Sequence, residues 1–71
     1  MTPQTIGTTI RHARKRLGMR QDELASVAGL STRSVSAIEN GKPTARIGMV
    51  LQVLEALDIT VSLAPPDVTE P

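Results

Sequence analysis

The chain has no cysteine and no phenylalanine, tryptophan or tyrosine. The first absence excludes disulfides and thiolate metal sites as staples for the fold. The second leaves the core to Leu, Ile, Val, Ala and Met. Long apolar runs are also missing, so no segment can span a bilayer, and the N-terminus lacks the continuous apolar stretch of a signal peptide. These absences lead us to expect a soluble protein of the cytoplasm with no membrane partner. At 71 residues there is room for one domain, which buries a limited share of its surface. A small aliphatic core of this kind gains from a partner subunit.

Residues that carry catalysis are sparse as well. The single histidine, His12, stands among bases, with no Cys, Asp or Glu at triad or metal spacing. Ser31, Ser34 and Ser36 have no base that the sequence would place beside them. The five glycines are scattered and mostly mark helix ends, so no phosphate-cradling loop is present. Catalysis is not expected, and no cofactor or metal is called for.

Charge is present but divided. All eight Lys and Arg residues lie before position 47, accompanied by only three of the seven acids. The other four acids lie beyond it without a base. A basic half suits a polyanion and an acidic half faces away from it, although a solvated charged surface is the plain alternative.

Apolar spacing divides the chain into short helices. Residues 1–5 hold Pro3 and no apolar pattern, which predicts a flexible lead-in. Thr5 is the expected cap of a first helix with Ile6, Ile10, Ala13 and Leu17 on one stripe, ended by Gly18. A second helix is expected from Gln21 to Ala28, with Leu24, Ala25 and Ala28 inward and Asp22 and Glu23 at the positive end of its dipole. Gly29 and Leu30 form the turn, Ser31 caps a third helix, and Val35 and Ile38 are its buried positions. A fourth helix, about 45–57, places Ile47, Val50, Leu51, Leu54 and Leu57 on one face. Met49, Val53 and Ala56 extend apolar character around the other, a surplus that a dimer would bury.

Residues 59–64 then change to period two, with Ile59, Val61 and Leu63 on one side. This predicts a lone strand that must pair with another copy or a partner, the alternative being a tail packed on the fourth helix. The expected dimer interface is therefore Met49, Val53, Ala56, Ile59, Val61 and Leu63. Residues 65–71 are expected to be a disordered acidic tail.

The second and third helices form the most informative stretch, residues 20–41. The third is small and polar on its outer face, as an element lying in a major groove must be. Its outward positions Thr32, Arg33, Ser36 and Ala37 would then reach base edges: Arg33 can bond guanine bidentately, and Ala37 can touch a thymine methyl. Gln21, at the start of the second helix, would meet the DNA backbone, and Arg20, Ser34, Asn40, Lys42 and Arg46 are the remaining phosphate candidates. For the serines the bland alternative is surface solubility. Arg14 and Glu39, opposite charges on neighbouring helices, are expected to form a structural ion pair.

Gln21, Glu23-Leu24-Ala25, Ala28-Gly29-Leu30-Ser31, Val35-Ser36 and Ile38-Glu39-Asn40-Gly41-Lys42 together resemble the Xre/Cro-type helix-turn-helix repressors over residues 10–57. The resemblance implies an all-α, lambda-repressor-like bundle of four or five helices over 6–58 that binds palindromic double-stranded operator DNA as a homodimer. Gly41 to Ile47, then Leu51, Leu54 and Ala56-Leu57 followed by a strand, is similar to HipB-like antitoxins. That narrower resemblance implies a strand at 59–64 paired across the dimer, repression of the protein's own operon and a HipA-like kinase toxin as partner. Stand-alone regulation and a protein-interaction module of the same fold are the rival readings.

Overall fold

A computed structural model describes residues 1–66 of the chain. Four helices follow one another: α1 Pro3–Arg16, α2 Gln21–Ala28, α3 Thr32–Glu39 and α4 Ile47–Ala56. α2 and α3 pack together, α1 lies on α3 and α4 on α2. Ile10, Leu24, Val35 and Val53, one from each helix, are fully buried at the centre. The core is aliphatic throughout, as the missing aromatic residues require.

α1 starts earlier than Thr5. The Thr2 hydroxyl accepts from the Thr5 amide at 3.1 Å, and the Thr5 hydroxyl accepts from the Thr2 amide at 2.8 Å. This reciprocal cap, with Pro3 in the first helical position, makes residues 3–5 the first turn of α1. Most of the expected lead-in is therefore helix. At the other end Leu17 is exposed, because the chain turns away there and Met19 packs on the core instead.

All four helices close in the same way. Past the end of each helix one amide reaches back five positions: Met19 to Arg14, Leu30 to Ala25, Lys42 to Ala37 and Ile59 to Leu54, at 2.9–3.1 Å. Such a closure needs a left-handed residue before the donor. Three times it is glycine; in the fourth it is Asp58, at φ 59°.

α4 is rotated relative to the expected face. Val50, Val53, Leu54 and Leu57 point inward, while Ile47 and Leu51 are 69% and 49% exposed. Val53 is thus a core residue and not a dimer contact, and Met49 and Ala56 are half-buried against the core. A helix this apolar offers two overlapping stripes of equal period, and only its packing against α2 decides between them. The unburied apolar surface is real but lies on the Ile47–Leu51 side.

No strand occurs among the described residues. A strand is defined by its ladder, and the single chain offers no second strand to complete one. Residues 60–66 are exposed, whereas Ile59 packs on the core. The acidic residues 67–71 lie outside the described residues.

Candidate nucleic-acid interface

The site is organised around one buried carboxylate. The Glu39 side chain, at the end of α3, is fully enclosed, and a carboxylate there must be neutralised and hydrogen-bonded. Arg14 of α1 answers it with two parallel bonds, Nε to Oε2 at 2.6 Å and Nη2 to Oε1 at 3.0 Å. Its Nη1 also donates to the Met19 carbonyl at 2.8 Å. Gln21, at the first position of α2, donates from Nε2 to Glu39 Oε1 at 3.1 Å. Arg11 approaches the same oxygen at 3.4 Å and donates from Nη2 to Asn40 Oδ1 at 2.9 Å. One carboxylate therefore ties α1, the start of α2 and the end of α3 together.

Burial alone would raise the Glu39 pKa. The bonds from Arg14, Gln21 and Arg11 outweigh it and hold the carboxyl below its ordinary range. Glu39 in turn raises the already high pKa of Arg14, against the opposing effect of burial.

On this frame α3 presents its outer face. Ser31 caps it, accepting from the Ser34 amide at 3.1 Å and donating to the Ser34 hydroxyl at 3.0 Å. Thr32 and Arg33 are exposed in the first turn, with Ser36 and Ala37 half-buried one turn on. Arg33, Ser34 and Ala37 share the rim of a shallow depression with Lys42 and Arg46 from the α3–α4 connection. Five of the expected contact residues, three of them cationic, are thus brought to one place.

Arg20 and Gln21 are placed differently. Arg20 lies 3.4 Å from Asp22 and 3.6 Å from Glu23, so its charge is answered locally. Gln21 has committed one amide hydrogen to Glu39. What it retains for a phosphate is the second hydrogen and the free backbone amides of the first turn of α2.

Neither Arg11 nor Gly7 is among the residues that the sequence singles out. Arg11 sits three residues before Arg14, a spacing that puts both on one helical face, and that was the available signal. Gly7 lies where α1 meets the end of α3, with the Ile38 and Glu39 carbonyls so near that a Cβ would stand 2.5 Å from each.

The helix-turn-helix family model matches residues 10–63. An uncharacterised HTH-type transcriptional regulator, y4mF, of Sinorhizobium fredii (strain NBRC 101917 / NGR234) is 49% identical over 65 residues, covering 92% of this chain and 86% of that protein. Among solved structures, a HipA–HipB–O2–O3 complex and a HipB–O4 20mer complex each contain a chain of the same fold. Both match with a TM-score of 0.84 at 21% identity, over 94% of each chain. No helix among the described residues is long and apolar enough to cross a membrane. The chain belongs to the Xre-type helix-turn-helix family of DNA-binding transcriptional regulators, which are not enzymes.

Proposed function

We propose that the chain is a dimeric repressor of its own operon and the antitoxin of a HipA-like kinase toxin. The observation that carries the DNA reading is the cationic rim of Arg33, Lys42 and Arg46 beside the exposed first turn of α3. α3 enters the major groove, where Thr32, Arg33, Ser36 and Ala37 meet base edges. Ser34, Asn40, Lys42 and Arg46 hold phosphates beside it, joined by the first turn of α2 at Gln21. Arg20, paired with acids, contributes least. The antitoxin reading is supported by the shared fold with HipB, solved with HipA and with O2, O3 and O4. A stand-alone regulator is the second reading, favoured by the more closely related y4mF, which is named simply as a transcriptional regulator.

A gel shift with the DNA upstream of the chain's own gene tests the repressor. Arg33→Ala is expected to relax preference at one base pair, by about 1–3 kcal/mol of discrimination. Lys42→Ala should instead weaken all sequences alike and reduce the salt slope by about 1. Equal, sequence-blind losses from both would remove Arg33 from base readout. Co-purification with a kinase-like neighbour separates antitoxin from stand-alone regulator.

The homodimer is supported by the exposed apolar side of α4, Ile47 and Leu51, which continues into Val61 and Leu63 around a groove of about 430 Å³. Strand pairing at 59–64 would extend it. Leu51→Asp, or deletion of residues 59–71, should move sedimentation from dimer to monomer. A dimer that survives both changes places the interface elsewhere.

A further inference from the structure

We infer that Arg11 is a positioning residue for DNA binding: it turns the Asn40 side chain so that its NH2 group faces outward, and makes no phosphate contact of its own. The inference rests on the DNA-binding reading and deepens it. Arginine carries only donors, so the Asn40 atom 2.9 Å from Arg11 Nη2 must be the carbonyl oxygen. With that oxygen held, the amide presents two N–H donors away from α1. A donor is what a phosphate oxygen requires, whereas an unheld asparagine would present its oxygen as readily and be repelled.

Arg11 Nε meanwhile lies 3.4 Å from Glu39 Oε1, so its guanidinium is turned toward the end of α3 and not outward to a phosphate. A cation whose donors are turned into the protein and that touches no phosphate displaces no counterion from the DNA backbone. Arg11 and a free surface cation such as Lys42 therefore differ in a measurable way. Losing a cation that neutralises a phosphate flattens the salt dependence of binding by about 0.9 in log–log slope. Losing a neutral donor lowers affinity and leaves the slope in place.

The test uses Arg11→Met, Asn40→Ala and the double variant, with the full chain and its upstream DNA over a range of salt. Arg11→Met should weaken binding about three- to tenfold, the size of one hydrogen bond, with an unchanged slope. Asn40→Ala should match it, and the double variant should bind no worse than Asn40→Ala. A slope reduced by about 0.9, or losses that multiply, would show Arg11 on a phosphate and overturn the inference.

NMR of the free protein supplies an arm independent of DNA. The Asn40 side-chain NH2 signals should move in Arg11→Met and stay in place in Arg33→Met. The Arg11 side chain is 40% exposed, and Glu39 keeps Arg14 and Gln21, so the fold survives the change. Arg11→Lys provides a second variant, since a single ammonium does not replace a guanidinium that reaches two partners. It should also move the Asn40 signals and weaken binding without changing the slope. Unmoved signals in both variants sink the clasp even if the chain binds DNA. If the wild-type chain binds no upstream DNA, the DNA reading falls while the NMR still decides how Asn40 is held.

Discussion

Replacing Glu39 with alanine is expected to lower stability by about 3–5 kcal/mol, the usual result of removing one partner from a buried ion pair. Arg14 would keep its charge, because its pKa lies far above any working pH. Only the Met19 carbonyl would remain as its acceptor, Gln21 would lose its acceptor, and Arg11 would keep Asn40 alone. A 71-residue domain has about 4–11 kcal/mol in total, so the variant should be partly unfolded at 37 °C. In a thermal melt the midpoint should fall by more than about 12 °C. A fall of only a few degrees would mean that water reaches Arg14 and that the pair is not sealed.

The same pair sets the acid limb of the stability curve. The Glu39 pKa is lower folded than unfolded. Its contribution is therefore complete above the ordinary glutamate value of 4.5 and is lost as pH falls through that value to the lower folded one. Glu39→Gln, already neutral, should melt at a lower temperature at pH 7 and lose less than the wild type on acidification. In the double variant Arg14→Met, Glu39→Met, two apolar side chains replace the pair, and much of the stability should return. Operator affinity should stay low there, since Gln21 recovers no partner and Arg11 is left with Asn40 alone. Separating the two effects would show that the pair orders the DNA-facing residues more than it stabilises the core.

What could be read in the sequence was local. α2 and the turn after it were legible because Gly29, Ser31 and the first-turn acids each mark a boundary by their own chemistry. The start of α1 was not, since Thr2 and Thr5 are equally good caps and Pro3 suits either a loop or a first turn. The inward face of α4 was not, because Val53 and Leu51 belong to stripes of the same period. Arg14 and Glu39 advertise themselves as opposite charges on adjoining helices. Arg11 resembles any other surface arginine until α1 is laid on α3, which brings it to partners 28 and 29 positions away. The outer residues of α3 can be read from the sequence alone, because their polarity is a property of the residues themselves.

Gly7 shows most sharply what packing adds, because Gly48 offers the same substitution in open space. Both are helical, and in sequence both look like weak points where alanine would help by up to about 1 kcal/mol. At Gly48 nothing lies within 4 Å of a new Cβ, so Gly48→Ala should stabilise the chain by that amount. At Gly7 the Cβ would stand 2.5 Å from the carbonyl oxygens of Ile38 and Glu39. These are backbone atoms at the end of α3, and neither can rotate aside. Relief requires α1 to retreat by roughly an ångström, and overpacking of this kind destabilises by about 1–3 kcal/mol or more. Gly7→Ala is accordingly expected to lose about 1–2 kcal/mol after the gain in helix propensity. The retreat would also carry Arg11 and Arg14 away from Glu39, since all three contacts lie on the same junction. Operator affinity should then fall in Gly7→Ala and stay at the wild-type level in Gly48→Ala. Paired thermal melts and gel shifts check this, and equal behaviour of the two variants would mean that α1 and α3 do not meet as closely as described.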